Sequence, residues 1–184
     1  MIAGEWGGRR LATPAGRTTR PTSDRVREAA FSRLSSRYRL PGARVLDLYA
    51  GSGALGIEAL SRGAASAVWV ESDRGAAAVI EKNLTTLGGA DRGRVVVADA
   101  VGAIARLAGE GLRFDGVFLD PPYGQGLVEP TLARLAAAGL LAEGGWVVAE
   151  TERGEAAAGT VTGLVAVRED LYGDTKLALY ERSG

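Results

Sequence analysis

The chain contains neither cysteine nor histidine in its 184 residues. The first absence excludes disulfides and thiolate metal sites, and the second excludes a Ser-His-Asp triad and a His-ligated zinc. Lysine is nearly missing as well, with only Lys82 and Lys176, so 20 of the 22 basic residues are arginine. No stretch approaches the roughly 18 uncharged apolar residues of a membrane span. Residues 1–12 carry Glu5, Arg9 and Arg10 and lack the apolar run of a signal peptide. These absences predict a cytoplasmic protein with no metal and no membrane partner. Its length suits a single domain, and a monomer is expected.

What is present is unevenly distributed. Hydrophobic residues make up 46% of the chain, enough for a full core. The formal net charge is zero, yet residues 1–44 hold ten arginines against three acids, a local excess of +7 that the remainder balances. A basic arm beside an acidic body is what a polyanion-binding protein would carry, although a solvated arginine-rich face gives the same count.

From Arg44 onward, short apolar runs alternate with helical periodicity. Strands are predicted at Arg44–Tyr49, Ala67–Glu71, Val95–Ala98, Asp115–Leu119 and Gly145–Thr151, with helices between them at about Ala54–Arg62, Arg74–Leu87, Ala100–Ala108 and Val128–Ala138. Continuous apolar strands alternating with helices mean a parallel sheet covered on both faces. Two β-rich runs at Leu164–Glu169 and Thr175–Glu181, separated by Tyr172-Gly173-Asp174, predict a closing antiparallel hairpin. The tract Gly154–Gly163 reads as a loop. Pro21–Arg39 reads as a helix, and residues 1–19 as an extended or hairpin arm.

Gly51-x-Gly53-x-x-Gly56 follows a strand and opens a helix, the placement of a nucleotide-binding turn. Glu71 closes the next strand, where a carboxylate can accept hydrogen bonds from ribose hydroxyls. The fingerprint serves NAD and FAD as well as S-adenosylmethionine. Asp47 tips the choice: a carboxylate inside the first strand repels a diphosphate and welcomes a cofactor bearing an amine and a sulfonium. The cofactor's methionine end is expected over the turn Tyr49-Ala50-Gly51-Ser52-Gly53, with its amine steered by Asp47 directly or through water. Glu71 and Ser72 are expected at the ribose. Asp99 and Ala100 are placed for the adenine, and Asp99 suits a helix N-cap equally well.

Asp120-Pro121-Pro122-Tyr123 ends the fourth strand, at the edge where open α/β sheets bind ligands. Two prolines hold the backbone extended and leave their carbonyls available as acceptors. An amine on an aromatic base is a poor nucleophile because its lone pair is conjugated. Acceptors around it, the Asp120 carboxylate and a proline carbonyl, favour the pyramidal nitrogen and the charge that develops on attack. Tyr123 can stack on the base.

Asp47-Leu48-Tyr49-Ala50-Gly51-Ser52-Gly53 with Asp120-Pro121-Pro122-Tyr123 resembles the class I amino-methyltransferases. The flanks Ile2-Ala3-Gly4-Glu5-Trp6 to Leu11, Arg20-Pro21-Thr22 to Glu28, and Tyr172-Gly173-Asp174-Thr175 resemble the RsmD family. The resemblance implies methylation of the exocyclic N2 amine of guanine 966 in 16S rRNA of the small (30S) ribosomal subunit. It implies a Rossmann-like α/β fold with a seven-stranded sheet, a C-terminal antiparallel hairpin and a short N-terminal basic hairpin arm. The organisation expected is an arm over residues 1–20 and an S-adenosylmethionine-dependent methyltransferase domain over 21–184. Arg9, Arg10, Arg20, Arg25 and Arg27 become candidates for RNA phosphates, the last three also for framing the site. Position 7 is Gly where the family commonly has a basic residue, and family members usually carry a few more residues before the Ile-x-Gly run.

Three other readings remain open. A methyltransferase of this kind could act on another RNA base or on DNA, though 184 residues leave little room for a region that flips a base from duplex. A nicotinamide-dependent oxidoreductase would explain the glycine turn alone. A non-catalytic RNA-binding module would explain the arginines but not the Asp120–Tyr123 motif. Trp69 and Trp146 are expected in the core, and Trp6 either against RNA or against the body.

Overall fold

The computed structural model describes residues 1–14, 24–155 and 161–183. Helix α1 (Asp24–Arg37) precedes strand β1 (Arg44–Leu48), α2 (Ala54–Ser61), β2 (Ser66–Glu71) and α3 (Arg74–Leu87). Then come β3 (Gly93–Val97), α4 (Ala100–Gly109), β4 (Phe114–Leu119), α5 (Val128–Ala137), β5 (Leu141–Glu152), β6 (Leu164–Tyr172) and β7 (Thr175–Arg182). The strands form one seven-stranded sheet in the order β3-β2-β1-β4-β5-β7-β6, parallel except for the pairings that β7 makes. Among the described residues no helix is long and apolar enough to cross a membrane.

Side chains alternate across the strands and divide the core into two layers. Val45, Trp69, Phe118, Trp146 and Val148 meet Phe31 and Leu34 of α1, Ile57 and Leu60 of α2, and Ile80 and Leu84 of α3. Leu46, Leu48, Val70, Val117 and Ala149 meet Ile104 and Leu107 of α4 and Leu132 and Leu135 of α5 on the opposite face. Trp69 and Trp146 are buried, as expected of them.

Residues 1–14 of the expected extended or hairpin arm form turns and no strand, and residues 15–19 of it lie outside the described residues. Their backbone groups bond to one another within turns and to Glu58, Ser61 and Asn83 of the body. The buried Glu58 carboxylate accepts from the N–H groups of Ile2 and Ala3, at 2.9 and 3.0 Å. Ser61 accepts from Glu5 and Trp6 through its carbonyl and its hydroxyl. Trp6 is buried, with the Arg92 guanidinium 4.4 Å from its ring centroid, so it packs against the body. The N-terminal part of the expected Pro21–Arg39 helix and the middle of the Gly154–Gly163 tract lie outside the described residues.

Candidate active site

Register sets the site. Leu48 of β1 pairs with Leu119 of β4, and Leu119 pairs with Ala149 of β5. The next residues along, Tyr49 and Asp120, therefore leave the sheet side by side at its carboxyl edge, next to Glu150, which stays in β5 paired with Leu177 of β7. β1 is flanked by β2 and β4, so the chain departs in opposite directions on either side of it. That divergence opens the crevice in which such sheets bind ligands.

The glycine turn after β1 is held from beneath by groups the chain supplies itself. Gly51 and Gly53 take φ of 55° and 77°, a left-handed region open to residues without Cβ. Gly56 is required for another reason: a Cβ there would lie 2.4 Å from Nε1 of Trp69. That indole donates to the Gly53 carbonyl at 3.2 Å. Glu71 accepts from the Gly51 N–H at 2.8 Å and from the Asp73 N–H at 2.8 Å. Asp47, fully buried, accepts from the Gly56 N–H at 2.8 Å. Burial pushes the Asp47 carboxyl well above the usual range. The Gly56 bond opposes this, while the nearby charges of Asp120 and Glu71 add to it.

This arrangement discriminates between cofactors. A diphosphate docks on the N–H groups of such a turn and of the helix it opens. Here two of those groups, Gly51 and Gly56, already donate to the carboxyl groups of Glu71 and Asp47. The same carboxylates suit a ligand carrying positive charge and hydroxyl donors. The residues present fit S-adenosylmethionine.

Several expected donor-site residues sit otherwise than the simple reading supposes. Asp47 is enclosed and braces the start of α2, so it does not itself contact a ligand's amine. Glu71 is buried, with both carboxylate oxygens engaged by backbone N–H groups, and Ser72 is exposed beside it. Asp99 caps α4, accepting from the Gly102 N–H at 2.8 Å, and is exposed. Ala100 is buried behind it. Val97 and Val101 flank Asp99 with 48% and 43% of their surface exposed, an apolar rim on either side of a carboxylate. Tyr49 is the only described non-glycine residue at positive φ (60°), and its hydroxyl lies 3.0 Å from that of Thr131 on α5.

The second half of the site is the Asp120-Pro121-Pro122-Tyr123 segment. Asp120 and Tyr123 are partly exposed, Pro121 is buried and Pro122 exposed. Tyr123 donates to Oε1 of Glu150 at 2.6 Å and lies 3.3 Å from the Thr175 hydroxyl. Burial first, then the bond to Glu150, raises its phenol pKa, so the hydroxyl stays protonated. Tyr123 is thereby a fixed, neutral aromatic surface and not a base.

Sequence reasoning missed Glu150 and Thr175, because a buried glutamate in an apolar strand gives no periodic signal. It also missed Thr131 and Asn83, the latter a buried polar residue of α3. Of the arginines, Arg9, Arg10 and Arg25 are exposed, and Arg20 lies outside the described residues. Arg27 is only 7% exposed and pairs with Asp24, because its position on α1 faces inward beside Val26 and Ala30; this placement suits framing the site and not a surface contact with phosphate.

A family model described as Conserved hypothetical protein 95 matches residues 1–181. Ribosomal RNA small subunit methyltransferase D of Escherichia coli K12 is 39% identical over 182 residues, covering 99% of this chain and 89% of that protein. The solved structure of yhhF from Escherichia coli superposes with a TM-score of 0.87 at 39% identity, covering 100% of this chain and 97% of the other. That of a hypothetical protein from Thermus thermophilus superposes at 0.83 with 32% identity, covering 97% of this chain and 96% of the other. The chain belongs to the RsmD family of S-adenosylmethionine-dependent rRNA methyltransferases.

Proposed function

We propose that the protein transfers a methyl group from S-adenosylmethionine to the exocyclic N2 amine of a guanine in 16S rRNA. Its partner is the 30S subunit, or an assembly intermediate of it, in the cytoplasm, and it acts as a monomer. The observation that carries this reading is the juxtaposition, set by strand register, of a glycine turn lined by carboxylates and the Asp120–Tyr123 segment.

Bound in the crevice, the donor supplies an electrophilic methyl group. The chain's own residues do the rest. Glu71 and Ser72 hold the ribose end, and Asp99 between Val97 and Val101 takes the adenine and its amine. Asp47 fixes the turn from below and contributes a buried carboxyl on the side of the cationic centre. Asp120 and the Pro121 carbonyl accept from the target NH₂, which localises the nitrogen lone pair and aims it. Tyr123, pinned by Glu150, stacks on the base and holds it in line. Once the methyl is transferred, the amine is acidic enough to lose its proton to Asp120 or water, and no histidine is required. Arg9, Arg10 and Arg25 contact phosphates along the RNA, with Arg20 in the same role.

The donor half is tested by titration with S-adenosylhomocysteine and with NAD. Binding of the first and not the second is expected. Binding of NAD instead would overturn the assignment.

A further inference from the structure

Asn83 is a buried polar side chain, 4% exposed, on the face of α3 turned towards the sheet. All three of its hydrogen bonds go to backbone far away in sequence. Its Oδ1 accepts from the Ala12 N–H at 2.8 Å, and its Nδ2 donates to the Ala12 carbonyl at 3.0 Å. The same Nδ2 donates to the Ser52 carbonyl at 3.2 Å. Ser52 lies between Gly51 and Gly53 in the donor turn, and Ala12 lies at the end of the segment that carries Arg9 and Arg10. One planar amide thus joins the donor turn to the basic segment. Only asparagine or glutamine offers an acceptor and two donors in one plane, and an aspartate would set its charge against two carbonyl oxygens.

The segment is fixed at its other end as well. Glu58, fully buried, holds Ile2 and Ala3, and Ser61 holds Glu5 and Trp6. Arg9 and Arg10 therefore project from a stretch of chain clamped on both sides, one clamp being bonded to the donor turn.

We infer that Asn83 is a positioning residue that couples donor binding to RNA contact at the N-terminal segment. The inference rests on the function proposed above. A donor seated over the turn restrains the Ser52 peptide, which restrains Asn83 and, through it, Ala12. A segment already ordered presents Arg9 and Arg10 to phosphate at lower entropic cost. By linkage, RNA held by those arginines tightens donor binding by the same factor. The N-terminal segment is in this sense part of the donor site, not an independent arm.

The test is calorimetric titration of S-adenosylhomocysteine into the wild type, Asn83→Ala and Asn83→Asp, each with and without naked 16S rRNA. Hydrogen exchange of residues 2–12 and the melting temperature are followed in parallel. In the wild type, RNA should tighten ligand binding by about 5-fold or more, and the ligand should slow exchange in residues 2–12. In both variants ligand binding should weaken by about 5-fold, the effect of RNA should vanish, and exchange should no longer respond. Should the Asn83 variants fail to fold, Ala12→Pro removes one of the three bonds with α3 intact, and the same readouts decide. Equal ligand affinity in variant and wild type, or a segment whose exchange ignores the ligand, would overturn the inference. Failure of the wild type to bind S-adenosylhomocysteine would instead overturn the proposed function itself.

Discussion

The Tyr123 hydroxyl donates to the Glu150 carboxylate across 2.6 Å, joining the loop after β4 to the neighbouring strand β5. Glu150 is buried, so the bond is not exchanged for one to water, and the ring is fixed before any base arrives. Tyr123→Ala should lower kcat/KM for RNA between about 5-fold and 150-fold, the range expected from a lost stacking platform. Tyr123→Phe, which keeps the ring but loses the anchor, should fall at the mild end of that range. Steady-state kinetics decide the point, and wild-type kinetics in Tyr123→Ala would remove the ring from the mechanism.

Asp120 should separate binding from chemistry. Asp120→Ala is expected to bind S-adenosylhomocysteine with near-wild-type affinity and to lose methyl transfer by about two to three orders of magnitude. Unchanged transfer would show that the carboxylate does not orient the amine.

Gly56 is a matter of space. A methyl group there would lie 2.4 Å from Trp69 Nε1, inside a core with no slack. Gly56→Ala should cost about 1–3 kcal/mol of stability. Trp69→Phe in the same background should recover part of it. A thermal melt of Gly56→Ala indistinguishable from wild type would contradict the close helix–strand approach.

Asp47 gives a pH signature. Its carboxyl titrates well above the ordinary 3.8, chiefly because it is buried. A raised value in the folded state means that the native protein holds the proton more tightly than the unfolded chain. The contribution of Asp47 to stability is therefore fully present below pH 3.8 and lost as pH rises through the folded value. Asp47→Asn should consequently gain stability over wild type at pH 7, and the gain should shrink towards pH 4. Urea unfolding at the two pH values measures it; a difference independent of pH would contradict the burial of a titrating carboxyl.

Arg9 and Arg10 supply the electrostatic test. Replacing both by Ala should weaken RNA binding and flatten its logarithmic salt slope by up to about 0.7 to 0.9 for each phosphate no longer neutralised. Donor affinity in the absence of RNA should not change. An unaltered salt slope would leave these arginines as ordinary surface.

The sequence was most legible where local pattern and tertiary role coincide. The Arg74–Leu87 helix is found at the expected bounds because Ala77, Ile80 and Leu84 repeat on one buried face. The glycine turn was readable because Gly51 and Gly53 answer a backbone demand for positive φ there. Glu150, Thr131 and Asn83 were not legible, since their partners are 27, 82 and up to 71 residues away and only register or helix packing brings them together. The inward placement of Arg27 was not legible for a related reason: charge counts say nothing about which side of a helix faces the core. The turns of residues 1–14 were not legible either, because the partners that hold their backbone, Glu58 and Ser61, lie on α2.

The most direct measurement is methyl transfer from labelled S-adenosylmethionine to 30S subunits and to naked 16S rRNA, with the labelled nucleoside identified by mass. The account predicts N2-methylguanosine as the product, at a single position. Label in another nucleoside, or no label from a protein that binds S-adenosylhomocysteine, would contradict it.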